Sequence, residues 1–76
     1  MLIHVLGTGC AKCRMLHKIV KEAVREAGVD AQVEKVEDIR KIMAFDVLAT
    51  PALVVDGKVK VAGKVPSLAE IRKLLE

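Results

Sequence analysis

Apolar residues along this chain fall into short runs and one long stripe, and the two patterns predict different elements. Leu2 to Leu6 (LIHVL) is a short apolar run ending at Gly7, as a strand covered on both faces would be. Beyond it, Leu16, Ile19, Val20, Ala23, Val24 and Ala27 recur at the spacing that lays one apolar stripe along a helix. Lys18, Lys21, Glu22, Arg25 and Glu26 fill the opposite side, and Gly28 supplies the stop. Asp30 to Glu37 (DAQVEKVE) is more polar and reads as an edge strand. Asp38 is placed to cap a short helix in which Ile39, Ile42 and Met43 point inward.

The second half begins at Thr50-Pro51, which leads into Ala52-Leu53-Val54-Val55, another strongly apolar strand. Asp56-Gly57 favours a type I′ hairpin turn, because both central residues of that turn need positive φ. The next strand is Lys58 to Ala62, with Val59 and Val61 alternating with Lys58 and Lys60 as in a half-exposed strand. Pro66 stops it. Ser67-Leu68-Ala69-Glu70 has the spacing of a capping box and opens a last helix whose buried side is Leu68, Ile71, Leu74 and Leu75. The order is β-α-β-α-β-β-α, an α/β chain forming one domain over residues 1–76. The first β-α-β unit pairs its strands in parallel through a crossover, and the hairpin pairs its strands antiparallel. A four-stranded mixed sheet with helices on both faces follows.

Composition narrows the function more than the fold. Phe45 is the only aromatic residue, so the core must be aliphatic. The net charge of +3 attracts anionic partners weakly. With no stacking platform and no groove-reading motif, nucleic-acid binding is not expected. No apolar run approaches the ~20 residues a membrane helix needs, and the start lacks the basic n-region of a signal peptide. A cytoplasmic, non-membrane protein is expected, in a compartment that keeps thiols reduced unless they are cycled.

The candidate chemistry lies in GTGCAKC, Gly7 to Cys13, which holds the only two cysteines. Cys10 falls where the first strand passes into the long helix. Unpaired N–H groups and the helix dipole stabilise a thiolate there, lowering its pKa. Lys12, Arg14 and Lys18 add positive potential. Cys13 lies one turn on, within reach of a disulfide to Cys10. The arrangement suggests an exposed, attacking Cys10 and a recessed, resolving Cys13, with Gly7 and Gly9 letting the backbone turn tightly and leaving the first sulfur uncovered. The same cysteines admit an alternative, a soft-metal (copper or zinc) or metallochaperone-like site with His17 as a third ligand, although no fourth ligand is evident. Copper chaperones also place a CxxC loop on a short α/β domain. Their order is β-α-β-β-α-β, ending in a strand, whereas this chain ends in a helix. No metal site is therefore assigned.

CAKC after a first strand, Thr50-Pro51 before a third, the Asp56-Gly57 hairpin and the final helix together resemble the thioredoxin/glutaredoxin superfamily. The likeness is to its small members with a redox-active disulfide, and it covers essentially the whole chain. It implies a reduced thioredoxin-like fold and a thiol–disulfide oxidoreductase acting on protein disulfides. The cofactor is then none beyond the Cys10–Cys13 disulfide, the electron donor is a reductase, and the protein is a monomer. It also implies that Pro51 is cis and packs against the disulfide, that Thr50 offers backbone hydrogen bonds to substrate, and that Gly9 borders the same groove.

Some positions depart from the family pattern. Thioredoxin proper has Trp where Gly9 stands and Gly-Pro where Ala11-Lys12 stand. Lys12 is expected to favour the thiolate and so stabilise the reduced form. Glutaredoxins hold glutathione with Gly-Gly and acidic residues after the hairpin, where this chain reads Ala62-Gly63-Lys64-Val65-Pro66-Ser67. His4 stands where thioredoxin carries a buried acid that helps deprotonate the resolving cysteine. A histidine there is either a proton shuttle or simply a strand residue that is partly solvated or hydrogen-bonded. The basic run Lys12, Arg14, Lys18 and Lys21 is either a solvated helix face or a steering patch for an acidic partner.

Overall fold

In a computed structural model, described over residues 1–75, the seven elements follow the predicted order: β1 (Leu2–Leu6), α1 (Ala11–Ala27), β2 (Gln32–Val36), α2 (Ile39–Ala44), β3 (Ala52–Val55), β4 (Lys58–Ala62) and α3 (Leu68–Leu74). The sheet order is β2-β1-β3-β4. β1 pairs with β2 in parallel, as the intervening α1 requires, and with β3 antiparallel. β3 and β4 form the antiparallel hairpin. Its turn residues Asp56 and Gly57 have φ of 49° and 83°, the left-handed pair that a type I′ turn demands. Asp56 Oδ1 also accepts from the Leu2 N–H at 2.8 Å, tying the turn to the start of β1.

The period-2 alternation of the strands divides the core between two sheet faces. Ile3, Val5, Leu53 and Val61 point to one face, where Leu16, Val20 and Ala23 of α1 and Ile71 of α3 close over them. Burying each such side chain contributes about 1.5–3 kcal/mol. Leu6, Ala52 and Val54 point to the other face, where Ile42 of α2 meets them with Val36, Phe45 and Val47 at the margin. α1 ends at Gly28, left-handed at φ 66°, whose N–H returns to the Val24 carbonyl. α3 begins with the predicted capping box. Ser67 Oγ accepts from Glu70 N–H at 3.2 Å, and Glu70 Oε1 accepts from Ser67 N–H at 3.4 Å.

Two inward assignments do not hold. In α2 only Ile42 is buried, while Ile39 and Met43 are 62% and 67% exposed. Six residues make under two turns, so one position seats against the narrow strip of Leu6, Ala52 and Val54, and Phe45 and Val47 from the following loop fill the rest. In β4 the Val59/Val61 alternation is broken by a bulge. Leu53 faces Val61 but Val54 faces Val59, so Lys60 is the extra residue. Val61 joins the closed face, whereas Val59 sits opposite Val54 at the sheet edge and is 43% exposed.

Candidate active site

The register of β1 against β3 gathers the candidate residues at one end of the sheet. Leu6 pairs with Ala52, so the Gly7–Cys10 loop leaving β1 and the Thr50–Pro51 segment entering β3 share that end. The Gly7 N–H is held by the Val36 carbonyl at 2.9 Å. A Cβ on Gly7 would lie 2.7 Å from Cys13 Cβ and nearer still to its Sγ. Only glycine lets the first turn of α1 settle this deeply against β1. Gly9, with φ +90°, then redirects the chain into the helix.

Cys10 is the N-cap of α1, extended at φ −70° and ψ 168°, and its sulfur accepts from the Cys13 N–H at 3.3 Å. It is exposed, whereas Cys13 is 5% exposed. The two sulfurs stand 2.6 Å apart. Their acidities split in opposite directions. Hydrogen bonds from the Cys13 thiol and then the Cys13 N–H hold the Cys10 thiol below its usual value, with smaller help from the Lys12 and Cys10 amides. Burial pushes Cys13 up, and the side-chain bond to Cys10 and the Cys10 charge push the same way; backbone hydrogen bonds with Cys10 and, more weakly, Thr8 only partly offset this. Lys12, itself exposed, acts on the sulfur through its backbone N–H.

The Thr50–Pro51 peptide is cis. Pro51 is buried and its carbonyl accepts from the Gly63 N–H at 2.8 Å, while Thr50 is exposed. The loop after β4 is pressed close here, since a Cβ on Gly63 would lie 3.0 Å from that of Ala49.

His4 is not brought to the cysteines. Its neighbours Ile3 and Val5 face α1, so its own side chain faces α2. There Nε2 meets Glu34 Oε1 at 3.3 Å, and the ring tilts against Phe45 at 5.1 Å between centroids. Nδ1 is buried without a partner. The solvated-or-bonded strand histidine is thus the reading that fits, and a direct proton shuttle to Cys13 is not. His4, Glu34 and Phe45 line a surface cavity of ≈ 740 Å³, which the cysteines do not border. His17 is partly buried, and burial, Lys35 and Lys21 hold its pKa down, with Glu37 opposing them. Among the described residues no three His, Cys, Asp or Glu side chains converge as a metal site would require.

Lys35 and Glu37 carry no motif, yet both border the site, lining a small cleft with Cys13. The only sequence signal for them is alternation. Val33 and Lys35 pair with Ile3 and Val5, and Glu37 continues the same side of β2.

An exposed, acidified cysteine in reach of a buried partner at a strand-to-helix junction defines the class, a small thiol–disulfide oxidoreductase. The thioredoxin-domain family matches residues 1–76. The thioredoxin of Methanothermobacter thermautotrophicus is 47% identical over 75 residues, 99% of this chain and 97% of that protein. The thioredoxin of Methanocaldococcus jannaschii is 40% identical over 76 residues, 100% of this chain and 87% of that protein. The chain belongs to the thioredoxin family, and Cys10 and Cys13 are its redox pair.

Proposed function

We propose that Cys10 is the attacking and Cys13 the resolving thiol in the reduction of protein disulfides. The contrast between the two sulfurs carries this reading: the exposed one is acidified and the buried one is not. A thiolate at Cys10 attacks one sulfur of the partner's disulfide, forms a mixed disulfide and releases the other sulfur as a thiolate. Cys13 then attacks Cys10 Sγ, closing the Cys10–Cys13 disulfide and freeing the second partner sulfur. Gly9, Thr50 and Pro51 border the docking groove, with the exposed Thr50 backbone as the hydrogen-bonding edge for an extended segment. Lys12 modulates the couple through its amide at Cys10. A reductase restores the dithiol, no further cofactor takes part, and the protein works as a monomer in the cytoplasm. No helix among the described residues is long and apolar enough to cross a membrane.

The test is substitution of each cysteine. Cys10→Ser abolishes disulfide reduction, whereas Cys13→Ser still attacks and accumulates mixed disulfides with its protein partners, read by mass spectrometry. Reduction at the normal rate by Cys10→Ser refutes the assignment of roles.

A further inference from the structure

The resolving step poses a problem that the cysteines do not solve. Cys13 must lose its proton before it attacks, and its burial opposes that loss. His4 lies on the other face of the sheet. The relevant space is a cleft beside Cys13, lined by Val5, Gly7 and Gly9 together with Arg14, Lys35 and Glu37. Its volume is ≈ 10 Å³, the scale on which one water is accommodated, which takes about 10–15 Å³.

We propose that Glu37 accepts the proton of Cys13, through a single water in this cleft, during resolution of the mixed disulfide. The proposal rests on the reading of Cys13 as the resolving thiol. Of the three charged residues that line the cleft, Arg14 from α1 and Lys35 from β2 are cations without a free lone pair, so Glu37 carries the one base. Its placement is specific, since Glu37 Oε2 lies 3.2 Å from where a Cβ on Gly9 would be, over the loop that carries Cys10. The two cations offset the repulsion between this carboxylate and a forming thiolate. His17, one turn beyond Cys13 on α1, does not line the cleft. Glu37 is exposed on its outer side and hands the proton on to solvent. The step balances: the Cys13 S–H bond breaks and its proton passes through the water to the carboxylate. The Cys13 thiolate then bonds to Cys10 Sγ, the bond from Cys10 to the partner sulfur breaks, and that sulfur leaves as a thiolate.

An aromatic disulfide that releases a coloured thiolate separates the two steps in stopped flow. The first release reports attack by Cys10, the second resolution by Cys13. Glu37→Gln leaves the first phase unchanged and slows the second by about a hundredfold near neutral pH, the low end of general-base effects. Glu37→Asp, which keeps a carboxylate, restores part of the second-phase rate. A second phase in Glu37→Gln with native rate overturns the proposal, as does equal slowing of both phases. A Cys10→Ser protein that still gives the first phase overturns the order of the cysteines, and this proposal with it. Intact order with an unaffected Glu37→Gln overturns the Glu37 role alone.

Discussion

The two faces of the sheet are built to different standards. On one, α1 and α3 bring Leu16, Val20, Ala23 and Ile71 down on Ile3, Val5 and Leu53, all of them buried and all but Val5 without solvent access. On the other, the short α2 supplies Ile42 alone, leaves Ile39 and Met43 in solvent and borders an open cavity containing His4. The redox pair belongs to the closed face. Cys13 is buried because α1 is pressed onto β1 at Gly7, and the same packing places the amides of α1 under Cys10. The stable face thus supplies both the framework and the difference in acidity between the sulfurs, while the thin face carries neither.

Substitutions test this contrast, and the largest effect falls on the closed face. Leu16→Ala removes a fully buried side chain and costs about 4 kcal/mol, whereas Ile42→Ala, under the thinner cover of the other face, costs about 2 kcal/mol. Urea unfolding measures both, and equal losses would mean that α2 covers a core of the same standing. Gly7→Ala comes next. Its methyl overlaps Cys13, so α1 must lift from β1 at a cost of about 1–3 kcal/mol. The same variant brings the thiolate titrations of Cys10 and Cys13 closer together, because the burial and amide contacts that separate them loosen. His4→Ala, on the thin face, loses about 1 kcal/mol with the Glu34 and Phe45 contacts. It leaves the pH profile of disulfide exchange unchanged. A displaced profile would connect the two faces electrostatically.

The two sulfurs also give opposite pH dependences in the reduced protein. Cys10 has its folded value below the ordinary cysteine value of 9.0. Its contribution to stability is present above 9.0 and is lost as pH falls through the folded value. Cys13 has its folded value above 9.0, so its contribution is present below 9.0 and is lost as pH rises through the folded value. Thiolate absorbance should therefore rise in two steps, one below 9.0 that Cys10→Ser removes and one above 9.0 that Cys13→Ser removes. A single step at the ordinary cysteine value would erase the distinction on which the cysteine roles rest.

Local pattern by itself determined the order of the seven elements, the caps at Asp38 and Ser67, the stop at Gly28, the Asp56-Gly57 turn and the position of Cys10 at a strand-to-helix junction. These features depend on residues within a few positions of one another, where spacing and turn chemistry act directly. Only the tertiary structure decided which apolar side chains were covered, because coverage depends on how far an element from elsewhere in the chain extends. Ile39 and Met43 have helical spacing but no opposing surface, and the bulge at Lys60 turns Val59 away from the face that Val61 joins. The site divides in the same way. The CxxC spacing marks the two sulfurs, but the depth of Cys13 depends on its contact with Gly7. Which face receives His4 and which side of β2 carries Glu37 depends on strand pairing between residues some thirty positions apart. Pairing of that kind fixes electrostatics through space, and no short stretch of sequence contains it.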